Sequence, residues 1–154
     1  AFDLSPDINT ANYGVGDVVR FSVNPRTYEV DALEMVCDKT DTEADFAYGA
    51  DKNYSNATYV GGAVYRLVSG SVYSYEDGLM CLSRGDLNGI NLDKPQFEYY
   101  RNIAQSPIYV IENNKVTVGT EDDIISYVND PGEYTGAIIH SRYSAIRETI
   151  LYKK

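Results

Sequence analysis

Residues 134–152 run YTGAIIHSRYSAIRETILY, and this stretch decides the kind of fold that the chain adopts. After a short polar break at 142–144, the last segment alternates Ile146, Glu148, Ile150 and Tyr152 against Arg147, Thr149 and Leu151. A period of two residues is typical of a half-buried β-strand, because successive side chains of a strand point to opposite faces. The stretch therefore predicts two closing strands, Tyr134–Ser141 and Ala145–Tyr152, joined by a tight turn.

Strand patterns recur along the rest of the chain. Residues 16–37 predict an N-terminal β-hairpin with its turn at 24–26. Residues 59–75 predict a second hairpin with its turn at Ser69-Gly70-Ser71. With the shorter strand patterns that follow, the chain holds about ten short strands separated by turn signals. We therefore expect an all-β fold, a small β-barrel or sandwich, either as one unit or as two packed β-subdomains.

One helical segment interrupts the strands. Thr120 can cap a helix, and three acidic residues, Glu121, Asp122 and Asp123, follow it. Carboxylates in the first turn complement the positive end of the helix dipole. The sequence therefore predicts one short helical turn near 121–128.

A polar stretch separates the two groups of strands. Between residues 38 and 57 the chain is rich in aspartate, asparagine and serine, which is typical of a long loop. We therefore predict three parts. They are an N-terminal β-hairpin subdomain at 1–48, a loop or linker at 49–57, and a C-terminal β-subdomain at 58–154 that contains the helical turn.

The chain is strongly acidic. Its 13 basic and 23 acidic residues give a formal net charge of −10. Such a surface repels phosphate backbones and anionic lipid head groups, so we expect no nucleic-acid partner. No apolar run approaches the roughly 18 residues that a membrane-spanning helix needs, so we expect no membrane insertion.

No group of side chains suggests catalysis. The single histidine, His140, precedes Ser141 in a predicted strand, so the two side chains point to opposite faces and cannot act as a nucleophile and its base. One histidine and two distant cysteines do not supply a zinc site. The sequence therefore predicts a protein that is not an enzyme and has no catalytic residues.

One loop has the composition of a weak calcium site. Between residues 84 and 94 it holds four closely spaced oxygen-bearing residues, Asp86, Asn88, Asn91 and Asp93. Calcium takes several oxygen ligands from side chains of this kind. A solvated loop explains the same composition, so calcium is a cofactor that the sequence allows and does not require.

The two cysteines, Cys37 and Cys81, each lie in a predicted strand. They would form a disulfide in an oxidising compartment. The alternative is a pair of buried free thiols, and the sequence leaves both open.

Tyrosine is unusually frequent. The chain has 15 tyrosines and no tryptophan. Tyrosine combines an apolar ring with a polar tip, which suits half-buried strand positions and contact surfaces. Four tyrosines are candidates for contact with a partner or ligand: Tyr73, Tyr75, Tyr99 and Tyr100.

Several strand motifs resemble a known group of proteins. The segments IYVI…KVTVGTEDDI at 108–124 and AIIHSRYS…ILY at 137–152 are similar to the C-terminal β-regions of Gram-positive surface proteins that carry S-layer homology modules. So are GDVVRF at 16–21 and GGAVY at 61–65. The resemblance implies an extracellular, cell-surface location and self-assembly with other protein subunits. The chain itself contains no S-layer homology module.

Three functions stay open at this point. The first is a non-catalytic extracellular structural or assembly module of a surface layer or surface-displayed protein, which would use exposed strand edges and tyrosine-rich faces. The second is a carbohydrate- or ligand-binding β module that stacks tyrosine rings on sugars. The third is a shell, fibre or decoration component of a phage or other particle.

Overall fold

The computed structural model describes residues 2–37, 51–54, 65–84, 96–102 and 106–154. These residues form a mostly β structure with one α-helix and a small barrel, so the predicted fold class is confirmed. The helix is α1 Glu121–Asn129, and the strands are β1 Val18–Val23, β2 Val30–Cys37, β3 Asp51–Tyr54, β4 Tyr65–Glu76, β5 Leu79–Arg84, β6 Gln96–Asn102, β7 Ile108–Glu112, β8 Lys115–Val118, β9 Tyr134–Arg142 and β10 Ala145–Lys153.

Five of these strands close into a barrel. β4 pairs with β5 and β5 with β6, both antiparallel, and β9 returns to pair with β4. This is a Greek-key arrangement, in which the fourth strand lies beside the first. β10 completes the wall, since it is antiparallel to β9 and parallel to β6 through Ala145 and Ile146.

Three short strands extend the barrel wall. β3 pairs with the first part of β4. β7 runs parallel to the second part of β10, and β8 folds back on β7. Residues 51–54, which fall inside the predicted linker, therefore belong to the barrel sheet. The boundaries predicted after residues 48 and 57 lie outside the described residues.

A single long strand replaces the second predicted hairpin. Ser69-Gly70-Ser71 does not turn, because β4 continues through it from Tyr65 to Glu76. The first part of β4 pairs with β9 and the last part pairs with β5. The pairing partner of β4 changes after Gly70. The turn lies at Asp77-Gly78, where both residues have positive φ, as in a type I′ hairpin. The predicted turn was wrong because a glycine at a barrel bend gives the same sequence signal as a turn.

The barrel interior is filled by alternate residues of its strands and by one face of α1. Ile124 and Tyr127 of α1 are buried in the same cluster as the strand residues, and Tyr127 stacks on Tyr134 with ring centroids 4.3 Å apart. The strand residues of this cluster are Val68, Val72, Met80, Leu82, Tyr100, Ile108, Val110, Tyr134, Ala137, Ile139, Ile146 and Leu151.

The helix begins where the sequence predicts. The backbone N–H of Thr120 donates to Asp123 Oδ2 at 2.7 Å, which satisfies an amide at the helix start. α1 spans Glu121–Asn129, which confirms the helical segment predicted near 121–128. Ile124 and Tyr127 bury one face of the helix against the barrel, and such packing stabilises helices more than local propensity does.

β1 and β2 form a small sheet separate from the barrel. Val18 of this sheet packs against Ile111, Ile138 and Tyr152 of the barrel wall. The Tyr152 hydroxyl also donates a buried hydrogen bond of 2.6 Å to the carbonyl oxygen of Gly16. An isolated two-stranded sheet is marginally stable, so these contacts stabilise the small sheet against the barrel.

Thr149 places a hydroxyl without a hydrogen-bond partner in the core. It is fully buried and pairs with Ile108 and Ile139 on the neighbouring strands. Thr149→Val removes this hydroxyl and keeps the shape, so we expect the free energy of unfolding to rise by about 1 kcal/mol. Thr149→Ser keeps the hydroxyl and loses the methyl group, so it is expected to lower that free energy. Urea denaturation measures both, and a valine variant less stable than the wild type would contradict the prediction.

Candidate functional site

Four exposed apolar side chains of the barrel lie on one wall, formed by β4, β5 and β6. Tyr73 of β4 and Phe97 and Tyr99 of β6 are 63%, 46% and 60% exposed. Leu79 of β5 is exposed as well. We term these four residues, which lie on the outer wall formed by β4, β5 and β6, the aromatic patch.

Strand alternation places the patch outside the barrel. On β5, Met80 and Leu82 are fully buried in the core, so the positions between and beside them face outward. On β6, Tyr100 is buried in the same core, so Phe97 and Tyr99 face outward. The patch therefore follows from which residues of each strand point into the barrel.

A β-bulge in β4 decides which tyrosines belong to the patch. The register between β4 and β5 shifts at Tyr73, which is the extra residue of the bulge. In a regular strand Tyr73 and Tyr75 would share a face, but the bulge leaves Tyr73 outside while Tyr75 packs against the core. Of the four candidate tyrosines, the structure brings Tyr73 and Tyr99 together on the patch and does not bring Tyr75 or Tyr100 there.

Tyr75 and Tyr100 instead make hydrogen bonds within the chain. The Tyr75 hydroxyl donates to Glu121 Oε1 of α1 at 2.6 Å and accepts from Asn102 Nδ2 at 2.9 Å. Burial, followed by the hydrogen bond to Glu121, raises the pKa of the Tyr75 phenol. Tyr100 is buried, and its hydroxyl donates to Glu98. Both phenols are therefore engaged inside the protein.

The patch is a packed layer of side chains. Tyr73 and Phe97 meet edge to face with ring centroids 5.0 Å apart, a favourable aromatic geometry. Cys81 pairs with Tyr99 across β5 and β6, and it is buried. A hydrogen bond between these two side chains is the main cause of the raised pKa of the Tyr99 phenol. The patch is therefore held in place by contacts among its own members and with Cys81.

Cys81 carries a free thiol. It lies on the barrel wall, whereas Cys37 ends β2 in the separate small sheet. The two cysteines thus belong to different sheets, and the disulfide that the sequence allowed is not formed in this structure.

Leu79 and Phe97 are the two patch residues that the sequence interpretation missed. The four predicted contact residues are all tyrosines, so the prediction includes neither of them. The usable signal was the spacing of two between Phe97 and Tyr99, which places both on one face of β6.

The outward positions of β5 and β6 carry no carboxylate. Besides the patch residues of these strands they are Cys81, Ser83 and Arg101. On the neighbouring strand β10, Ala145 pairs with Arg101 on one side and with Arg142 of β9 on the other. A second arginine therefore lies at the same level of the barrel, one strand beyond β10. Glu76 of β4 pairs with Leu79 and places a carboxylate at the edge of the aromatic patch. In a chain with 23 acidic residues, this wall is less acidic than the composition would suggest.

The candidate calcium ligands Asp86, Asn88, Asn91 and Asp93 lie outside the described residues. In the part of the chain that the structure describes, no group of three or more His, Cys, Asp or Glu residues is placed to hold a metal ion.

His140 and Glu148 form a hydrogen bond across β9 and β10. Its Nδ1 lies 3.2 Å from Glu148 Oε2, and both side chains are partly exposed. Ser141 is fully buried, so it faces away from His140 as strand alternation predicts. The hydrogen bond with His140 is the main cause that lowers the pKa of Glu148; burial opposes it.

This pair predicts a small pH dependence of stability. Because folding lowers the pKa of Glu148, its contribution is present at neutral pH and is lost as the pH falls through that lowered value. Solvent screening keeps the contribution below about 1 kcal/mol. Denaturation from pH 6 down to about pH 3 should show a shallower loss of stability for Glu148→Gln than for the wild type. Glu133→Gln, an exposed control outside the pair, should follow the wild type, and a Glu148→Gln curve parallel to wild type would contradict the prediction.

The chain was compared with known proteins. No family model, curated protein or solved structure matches it. Among the described residues, no helix has both the length and the apolar character to cross a membrane. A functional proposal therefore depends on the surface chemistry of the chain itself.

Proposed function

We propose that this chain is a non-catalytic binding and assembly module of a surface-displayed protein, and that the aromatic patch is its contact surface. The observation that supports this is the exposure of Tyr73, Phe97 and Tyr99 on one wall. The centres of protein interfaces are enriched in aromatic residues and arginine and depleted in Asp, Glu and Lys. The patch, with Arg101 at its end, has this composition.

We propose an extracellular location for this module. It rests on the resemblance of the strand motifs to surface proteins that carry S-layer homology modules. Other protein subunits are the partners in this proposal, and a component of a phage or other particle would use the same contact surface. Nucleic acid is disfavoured as a partner because the net charge of −10 repels phosphates.

Saccharide binding at the same patch is the second candidate. The rings of Tyr73 and Tyr99 are exposed, and Greek-key barrels of the OB type bind oligosaccharides on the face of their second and third strands. β5 and β6 are the second and third strands of this barrel. The support is an analogy of fold. A glycan array tests it, and binding by the wild type that Tyr99→Ala loses would favour this candidate.

Chemical footprinting of tyrosines tests the proposed contact surface. Two samples would be labelled: the purified chain, and the same chain within the surface assembly that displays it (the native surface). The labelling rate of each tyrosine would be measured by mass spectrometry. We expect Tyr73 and Tyr99 to be labelled at least ten-fold more slowly in the native surface, because a partner covers them. Tyr109, half-buried on β7 outside the patch, serves as the internal reference. Equal rates for Tyr73 and Tyr99 in both samples would overturn the proposal.

A further inference from the structure

A second exposed apolar surface lies on the small sheet. Phe2 and Phe21 are 56% and 50% exposed, and their ring centroids lie 6.2 Å apart. Leu4, two residues after Phe2, is exposed and forms a bridge with Val30 of β2. We term Phe2, Leu4 and Phe21 the N-terminal patch. Exposed apolar side chains grouped in this way are candidates for an interaction site.

The two patches differ in their charged neighbours. Asp3 lies between Phe2 and Leu4, and its carbonyl accepts from the amide of Val30. Asp31 follows Val30, and both aspartates are exposed. Residues 2–37 hold six carboxylates and two arginines. The outward positions of β5 and β6 hold no carboxylate and end on the exposed Arg101, with Glu76 of β4 at the edge of the patch opposite Leu79. The aromatic patch is therefore less acidic than the N-terminal patch, and Arg101 is complementary in charge to Asp3 and Asp31.

We infer that the aromatic patch of one molecule binds the N-terminal patch of a second copy of this chain. This inference rests on the proposed function and names the partner of its contact surface. The contact joins two different surfaces, so each bound pair keeps one unoccupied patch of each kind. Contacts of this heterologous type build rings or open arrays, which suits an assembly module.

The size of the patches sets the strength of the contact. Each patch consists of three or four side chains, whereas a stable interface buries about 800 Å² per partner. A single contact is therefore weak, and an array gains strength by repetition. We expect association that grows with protein concentration and weakens as salt screens Arg101 from the aspartates.

Sedimentation velocity of the full chain and two double variants tests the inference. Tyr99→Ser with Arg101→Glu disables the aromatic patch, and Phe2→Ser with Asp3→Lys disables the N-terminal patch. Each variant alone should have a self-association constant at least ten-fold weaker than the wild type. An equimolar mixture should form pairs and stop there, because one variant keeps its N-terminal patch and the other keeps its aromatic patch. The single variant Arg101→Glu repeats the test without removing a packed ring, and circular dichroism confirms that each variant is folded.

The outcomes separate this inference from the proposed function. A wild type that stays monomeric at high concentration and low salt overturns the second-copy inference. So does a variant that associates like the wild type, or a mixture that forms no pairs. If the purified chain stays monomeric while footprinting shows Tyr73 and Tyr99 covered in the native surface, the proposed contact surface stands and its partner is another molecule. If neither result is obtained, both proposals fail.

Discussion

Leu82→Ala is expected to lower the free energy of unfolding by about 2–5 kcal/mol. Leu82 is fully buried in the core of the barrel. Its β5 backbone is paired with β4 on one side and with β6 on the other. Strands fixed on both sides cannot move inward to fill the space that the side chain leaves, so a cavity remains and adds to the lost burial.

Leu79→Ala is the matched control for this prediction. It makes the same chemical change on the same strand, but Leu79 is 37% exposed and faces outward, whereas Leu82 is 0% exposed. We expect the control to lower the free energy of unfolding by less than about 1 kcal/mol. Urea denaturation at low protein concentration measures both, so that association through the patch does not contribute. Equal losses would contradict the assigned faces of β5 and, with them, the position of the aromatic patch.

Gly119→Ala is expected to lower the free energy of unfolding by about 1–3 kcal/mol, because overpacked sites force their neighbours to shift. A Cβ at this position would lie 2.8 Å from Asp123 Oδ2 and 3.0 Å from a methyl group of Val110. The Asp123 carboxylate cannot move aside without losing its hydrogen bond from the Thr120 amide. The substitution therefore disturbs the end of the β7–β8 hairpin and the start of α1 together.

Gly132→Ala controls for the effect of removing a glycine. A Cβ at position 132 would meet no atom within 4 Å. Both substitutions reduce the entropy of the unfolded chain in the same way, so the difference between them isolates packing at Gly119. We expect the control to be neutral or to gain up to about 1 kcal/mol. Thermal and urea denaturation would measure both variants, and a Gly119→Ala protein as stable as the control would contradict the close approach.

Local patterns predicted much of the fold. The alternation in 134–152 gave both closing strands, observed as β9 and β10. Thr120 and Asp123 gave the start of α1, because a helix cap depends on residues three apart in the sequence. Asn113 and Asn114 form the β7–β8 turn, where both have positive φ, which asparagine adopts more readily than most residues. Each of these features is settled by neighbours along the chain.

Features that depend on distant strands were not predicted. Ser69-Gly70-Ser71 carries a turn signal, but β9 pairs with β4 up to Gly70 and β5 pairs from Ser71, so the segment stays extended. The register between β4 and β5 shifts at Tyr73. The resulting bulge places Tyr73 and Tyr75 on different faces of β4. No local pattern marks either event, because both arise from pairing between segments.

The candidate contact surface shows the same division. Strand spacing alone assigns Phe97 and Tyr99 to one face of β6 and Tyr100 to the other. Spacing does not say which face is outside, because that depends on the closure of the barrel. β10 pairs with both β6 and β9 and so closes the barrel. This closure puts Tyr100 in the core and leaves Phe97 and Tyr99 exposed.

By itself the amino-acid sequence determined that this protein is an acidic, mostly β chain with a capped helix after Thr120, because charge, alternation and caps act over a few residues. The tertiary structure alone decided that β4 to β6, β9 and β10 close into a barrel and that Tyr73, Leu79, Phe97 and Tyr99 meet on its outer wall. The physical reason is that a strand offers two faces and two edges. Only the pairing of edges far apart in sequence selects the face that is buried.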